Sequence, residues 1–407
     1  MYERALTSPL RRSLRRALPE RPFNVRFWDG SELQATTPGE APTFQLTSPA
    51  AIAQVLRAPG LLGLGRAYVE GTLDADDLDA AFAVVDGFEP PPVAPADRAR
   101  LLLAAGLAAL PAGLPQRPDL ELVLGGERHS RERDAAAVRY HYEVGNEFFA
   151  LFLDRSMTYS CAVYSRGAET LEEAQEAKLD LIAGKLELKP GQRVLDVGCG
   201  WGSFAIHAAS KYGVRVLGVT LAQAQARLAR QRVADAGLSD AVEIRVADYR
   251  ELAGASFDAI SSIGMVEHVG ESRIDEYARI LGSLLVPGGL LLNHGIAALR
   301  PEDSAGDDPF TNRYVFPDGE PLYLSRITLA LERAGLVNEH IEGFDTDYAL
   351  TLREWARRLD EHLDEARRLA GDERTRVWRL YLRAAQLGFE TGYTAVYQVR
   401  ARRPGGA

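Results

Sequence analysis

Between residues 193 and 293 the chain alternates short apolar, β-branched runs with stretches whose apolar positions recur every three to four residues. The runs over 194–197, 214–219, 242–246, 257–263 and 290–293 predict strands, and the stretches between them predict helices. Strand, helix, strand at this spacing reads as an α/β fold with a doubly wound, mostly parallel sheet. After helical patterns over 325–334 and 352–370, one more strand-like run at 391–400 has no helix behind it, which predicts an antiparallel strand added at the sheet's edge. Upstream the pattern changes. Short strand-like runs (23–28, 43–46) and short helical ones (48–58, 73–85) cannot build a catalytic α/β sheet, and predict a small N-terminal α+β accessory domain over residues 1–95. The run Glu89-Pro90-Pro91-Pro92-Val93-Ala94-Pro95-Ala96 breaks all periodicity, because proline fixes φ and removes a donor. Residues 96–134 then read as a linker carrying an apolar helix over 101–114, and residues 135–407 as the catalytic domain.

Composition narrows the class. With 407 residues, 46% hydrophobic and 26% charged, the chain is an ordinary globular one. Its net charge of −10 argues against a nucleic-acid binder, which needs clustered cations to neutralise phosphates. No stretch is long and apolar enough to span a membrane, and the first 30 residues lack the apolar core of a secretory signal. The two cysteines, Cys161 and Cys199, cannot form a disulfide framework, so a cytoplasmic protein is expected. The start is locally basic, with Arg4, Arg11, Arg12, Arg15, Arg16 and Arg21 against Glu3 and Glu20. Its leucines at 6, 10, 14 and 18 share a helix face, which either lies on an anionic bilayer or packs on its own domain. The helix over 101–114 is too short for a span and suits a buried or interfacial position.

The first strand of the α/β region ends in Asp196-Val197-Gly198-Cys199-Gly200-Trp201-Gly202 and runs into a helix near Ser203. A glycine-rich turn of this kind lets backbone approach a ligand closely, while the preceding acid can accept from a ligand amine or hydroxyl. The spacing is G-x-G-x-G, and the second strand ends at Thr220 with no acid, so a dinucleotide is disfavoured. The Gly-Lys-Ser/Thr of a phosphate loop is also missing.

This segment, following Arg193-Val194-Leu195, resembles motif I of the S-adenosylmethionine-dependent methyltransferases. Further segments narrow the match: Asn146-Glu147-Phe148-Phe149, Phe152-Leu153-Asp154, Met157-Thr158-Tyr159-Ser160-Cys161-Ala162, Gly218-Val219-Thr220-Leu221, Gly264-Met265-Val266-Glu267-His268-Val269-Gly270 and Tyr314-Val315-Phe316-Pro317. Together they resemble the cyclopropane-fatty-acyl-phospholipid synthase and mycolic-acid cyclopropane synthase family over about residues 135–400. The resemblance implies a seven-stranded class I methyltransferase sheet with S-adenosylmethionine as cofactor. It places Tyr159, Ser160, Gly198 and Gly200 around the cofactor with Asp196 beneath, Thr220 and Gln225 on the ribose side, and Asp248 and Tyr249 flanking the adenine. It also implies a bicarbonate pocket formed by Cys161, Glu267, His294, the backbone at Ile296, and Tyr348. The implied reaction is methylation of a cis double bond in a phospholipid acyl chain, closing a cyclopropane ring at the membrane surface. A homodimer associated peripherally with the inner face of the membrane is implied as well. Alternatives within the same chemistry are a C-methyltransferase that leaves a methylene- or methyl-branched chain, or a related methyltransferase of specialised metabolism.

The chemistry explains these residue types. An isolated alkene is a weak nucleophile, so methyl transfer to it needs close placement and leaves a cation that must lose a proton before water captures it. A dry pocket with an anchored base meets that need. Phe148, Phe149, Phe152, Tyr164 and Tyr314 are candidates for facing the cation. Taken without context, His294 reads as a strand-end residue and Cys161 as a small buried hydrophobe. Glu267-His268 does not suggest a metal, because no i, i+4 histidine pair or cysteine cluster accompanies it. The acidic segment after Ile296, with Glu302, Asp303, Asp307 and Asp308, departs from the family pattern and is read as a substrate lid.

Overall fold

A computed structural model describes residues 2–113, 115–122, 124–252, 254–299 and 309–405. The acidic segment with Glu302, Asp303, Asp307 and Asp308 lies outside the described residues. The chain forms two compact units, Met1–Leu122 with Gly371–Ala384, and Val123–Ala370 with Ala385–Ala407.

The first unit holds four short strands, β1 (Asn24–Arg26), β2 (Glu32–Leu33), β3 (Thr43–Leu46) and β4 (Leu73–Ala75), in the order β2-β1-β3-β4. The β1 and β3 strands run parallel and the other pairs antiparallel. The stretch over 73–85, expected to be helical throughout, opens as β4. Its helix begins only at Leu78, capped by the Asp77 carboxylate, which accepts from the Ala80 N–H. The proline run does not lead into a free connector either. Pro95 is the first residue of the helix Pro95–Ala109, where a missing N–H costs nothing. Ala104, Ala105 and Ala108 of that helix pack with Leu10, Val25, Phe27 and Leu33, so the expected linker helix belongs to this unit's core. Leu10 of the basic first helix is 1% exposed in the same cluster and Leu14 packs against it, which decides for packing on its own domain. Leu101 packs against the same cluster, whereas Leu102, Leu103 and Leu107 are exposed.

The second unit contains β5 (Arg193–Val197), β6 (Arg215–Thr220), β7 (Val242–Val246), β8 (Phe257–Ile263), β9 (Leu285–Ala298), β10 (Leu322–Tyr323), β11 (Val337–Gly343) and β12 (Thr394–Arg402). Their order is β11-β12-β9-β8-β5-β6-β7, with the short β10 paired beside β9. From β9 through β7 neighbouring strands are parallel, while β12 is antiparallel to both β9 and β11. The late strand therefore does not lie at the edge. That place belongs to β11, an unanticipated strand whose Val-Asn-Glu-His-Ile-Glu-Gly sequence is mostly exposed and carries little apolar alternation. Successive residues alternate between the sheet's two faces. Leu195, Ile260 and Leu291 pack on the side of the helices Ile274–Leu284 and Leu324–Arg333. Val194, Ala259, Leu290 and Leu292 pack on the side of Leu171–Lys185, Ser203–Tyr212 and Gln223–Asp235. Leu171–Lys185 starts with a reciprocal capping box between Thr170 and Glu173, which fixes the entry of a helix that carries two site lysines. No helix among the described residues is long and apolar enough to cross a membrane.

Candidate active site

Leaving β5, the chain turns through Gly198, Gly200 and Gly202 at φ of 74°, 53° and 81°. These left-handed conformations strain any residue with a Cβ, which accounts for the glycine spacing. The turn lies where the strand order reverses between β5 and β8, at the carboxyl ends of the parallel strands, where open α/β sheets bind ligands. A cleft of about 950 Å³, open mouth included, occupies this position. Six of the predicted cofactor residues line it: Gly198, Gly200, Thr220, Gln225, Asp248 and Tyr249.

Asp196 sits below, buried within β5. Its Oδ1 accepts from Ser261 Oγ at 2.8 Å, and its Oδ2 has no hydrogen-bond partner. Burial raises its pKa to about 6, against the opposing pull of Ser261 and the Lys178 charge. Thr220 Oγ1 donates to Gln225 Oε1 at 3.0 Å, and Gln225 is bonded to the phenol of Tyr142. The Asp248 carboxylate is clamped by the Arg250 guanidinium at 2.6 to 3.0 Å, and that guanidinium also reaches Asp134 at 3.0 Å. Tyr142, His268, Arg250 and Asp134 thus border the cleft unforeseen. Asp134 and Tyr142 come from the polar helix Arg131–Tyr142, whose pattern gave no sign of a site.

Tyr159 and Ser160 are not part of this lining. The Tyr159 ring stacks on Trp355 at 5.2 Å and on His141 at 5.6 Å. Ser160 Oγ accepts from Lys178 Nζ at 2.8 Å. Lys178 is fully buried, and desolvation lowers its pKa to about 8 despite the Asp154 and Asp196 charges. A lysine on the buried face of a helix was the available signal for it. Phe148, Phe149 and Phe152 are buried in contact with one another, and Phe149 packs against Tyr159 and Trp201.

Of the second predicted group, His294 lies on β9 and Glu267 on a turn that rests against it. Glu267 lies in the 3-10 turn Val266–His268 that follows β8. Its Oε1 accepts from the Ile296 N–H at 2.8 Å, while its buried Oε2 has no partner. Burial raises the pKa of this carboxyl to about 7. The Ile296 N–H thus bonds to the Glu267 carboxyl and positions it. His294 lies on β9 opposite Gln398 of β12, with Nδ1 3.0 Å from Gln398 Nε2 and a buried Nε2 without a partner. Desolvation and the Lys178 and Lys185 charges hold its pKa well below the ordinary value, so the ring is neutral. Phe344 connects His294 with Cys161, its ring parallel to that of His294 at 6.4 Å and its carbonyl 3.7 Å from Cys161 Sγ, while the contact of Tyr348 is its backbone N–H to the same carbonyl at 2.9 Å. Tyr348 packs on Phe389 at 4.6 Å. At Gly295 a Cβ would lie 2.3 Å from Val266 Cγ1, so the Glu267 turn rests directly on β9.

The mycolic acid cyclopropane synthetase family matches residues 129–399. The "Probable fatty acid methyltransferase" of Mycobacterium tuberculosis is 39% identical over 400 residues, covering 95% of this chain and 92% of its own. The cyclopropane-fatty-acyl-phospholipid synthase of Escherichia coli is 36% identical over 366 residues, covering 89% and 88%. The crystal structure of a mycolic acid cyclopropane synthase complexed with SAH and CTAB superposes with a TM-score of 0.63 at 33% identity, over 66% of this chain and 98% of that one.

Proposed function

The chain belongs to the mycolic acid cyclopropane synthetase family of S-adenosylmethionine-dependent methyltransferases, and we propose that it methylates a cis double bond in a phospholipid acyl chain and closes a cyclopropane ring, with bicarbonate as the bound base. One observation carries the reading: Glu267 Oε2 and His294 Nε2 are two buried polar atoms without partners, on a turn and a strand that touch. Buried polar atoms are nearly always satisfied, and two left open on neighbouring elements suit a small polar ligand. The cleft's glycine turn, Thr220, Gln225 and Tyr249 would hold S-adenosylmethionine, and Glu267 and His294 would hold bicarbonate. When bound, the first supplies an electrophilic methyl group and the second a base. The protein's own part is to orient and to keep dry. The Ile296 N–H fixes one Glu267 oxygen, leaving the other to meet the ligand. Phe344 and Trp355 help shut water out of the neighbourhood in which a carbon cation must lose its proton. Membrane-surface access fits the exposed Leu61, Leu103, Leu107 and Leu110 of the N-terminal unit.

A second reading is favoured by the 39% identical relative, whose name is that of a fatty acid methyltransferase. It gives a methylene- or methyl-branched product from the same base site. Incubation with S-adenosylmethionine and vesicles of a cis-monounsaturated phospholipid, followed by proton NMR of the extracted acyl chains, separates the two. Upfield ring protons are expected. Vinylidene protons would install the second reading, and an unmodified chain would sink both.

A further inference from the structure

Four polar groups run in a line from the protein surface to His294. Glu342 Oε2 lies 2.6 Å from Lys185 Nζ, Lys185 Nζ donates to Gln398 Oε1 at 2.7 Å, and Gln398 Nε2 lies 3.0 Å from His294 Nδ1. Gln398 is fully buried and faces His294 directly in the antiparallel register of β12 and β9. Lys185 lies at the end of the helix Leu171–Lys185 and also stands over the Phe344 ring at 5.2 Å, on whose plane His294 is stacked.

An ammonium can only donate, so the amide oxygen of Gln398 is the atom that faces Lys185. The amide nitrogen, which can only donate, then faces His294, whose Nδ1 must accept. A neutral imidazole that accepts at Nδ1 carries its proton at Nε2. We infer that Gln398, held by Lys185, is a positioning residue that fixes His294 as the Nε2–H tautomer and so makes its open ring nitrogen a hydrogen-bond donor toward an anion. The inference rests on the bicarbonate reading for its purpose, although the tautomer itself does not depend on it. Burial keeps the ring neutral, so His294 meets its ligand as a dipole that orients without surrendering a proton.

Gln398→Glu tests this with the smallest change in shape. A carboxylate keeps the Lys185 contact but presents an acceptor to His294, which moves the ring proton to Nδ1 and turns Nε2 into an acceptor. Nitrogen-15 NMR of histidine-labelled protein, with His294 assigned by its loss in His294→Ala, reads the tautomer directly and without turnover. The expected result is Nε2–H in the wild type and Nδ1–H in Gln398→Glu, with kcat lowered about 10- to 100-fold and the KM for S-adenosylmethionine unchanged. Gln398→Met, which offers no donor, should leave the ring a mixture of tautomers and turnover between the two. An Nδ1–H wild type, or an Nε2 proton that persists in Gln398→Glu, overturns the inference. Failure of the bicarbonate reading is separately visible, because wild-type turnover would then be indifferent to bicarbonate depletion whichever tautomer the spectrum shows.

Discussion

Glu267→Gln probes the base site through a mismatch that no rotamer can remove. In the wild type one carboxylate oxygen accepts the Ile296 N–H at 2.8 Å and the other is buried and open. With His294 Nε2 donating as inferred, the hydroxyl of the proposed bicarbonate would need an acceptor, and Glu267 Oε2 is buried and open. An amide that turns its oxygen toward the ligand sets its NH₂ against the Ile296 N–H, and one that turns its oxygen toward Ile296 leaves the bicarbonate hydroxyl without its acceptor. One buried donor left unsatisfied costs about 1 to 3 kcal/mol, a fall in kcat of about 5- to 150-fold. Glu267 does not line the cofactor cleft, so affinity for S-adenosylmethionine should stay within a few-fold. The pH profile carries the sharper test. Burial has raised the pKa of this carboxyl from 4.5 to about 7, and only the ionised form can accept at both oxygens. Turnover should therefore climb with pH, about tenfold per unit below 7, and level off above it. Asp196 near 6 and Lys178 near 8 titrate in the same unit, so the assignment depends on the limb vanishing in the variant. Steady-state rates from pH 5.5 to 8.5 with acyl-chain NMR as readout decide it. A variant that keeps the limb, or loses less than threefold in kcat, refutes the acceptor role of Glu267.

Gly295→Ala should fold and bind S-adenosylmethionine but lose most turnover, because its Cβ would press within 2.3 Å of Val266 Cγ1 and push the Glu267 turn off β9, an overpacking cost of about 1 to 3 kcal/mol; unchanged activity with an intact thermal transition would contradict that contact. Cys161 and Cys199 are 0% and 6% exposed and burial raises both thiol pKa values, so neither should react with a thiol reagent at pH 8 while the protein is native, although both react after unfolding. Prompt labelling of the native chain would remove Cys161 from the closed pocket.

The sheet was legible where a strand carries a clear apolar pattern. The run over 257–263 matches β8, which is buried on both faces, and that over 242–246 matches the edge strand β7, whose buried Val242 and Ile244 alternate with exposed Glu243 and Arg245. Legibility fails at the other edge. With one exposed face and Glu339 paired to Arg400 and Arg402, β11 has the polar composition of a loop, and missing it displaced β12 to the edge. The strand over 290–293 was cut short because Pro287-Gly288-Gly289 resembles a turn, yet β9 runs through it from Leu285. In the N-terminal unit the alanines of Pro95–Ala109 together with Leu101 face the core while Leu102, Leu103 and Leu107 are exposed, an arrangement hydropathy alone does not give.

The site divides along the same line. Gly198, Gly200 and Gly202 were readable because a local backbone conformation selects one residue type, whatever the rest of the chain does. Gln398 was not, because its role exists only through the β9–β12 register that sets it opposite His294 and through a helix end that brings Lys185 to its other side. A shift of that register by one residue would turn Gln398 to the opposite face and bring Tyr397 or Val399 across from the histidine. The resemblance to a family could point at His294 as a position, but its protonation state is a property of three elements packed together. A donor at Nε2 and an acceptor at Glu267 Oε2 make a pair matched to a ligand that both accepts and donates, and the match holds only while Lys185, Gln398 and Ile296 each keep their own hydrogen bonds. On this reading the proposed base site depends as much on the groups packed behind Glu267 and His294 as on those two residues themselves.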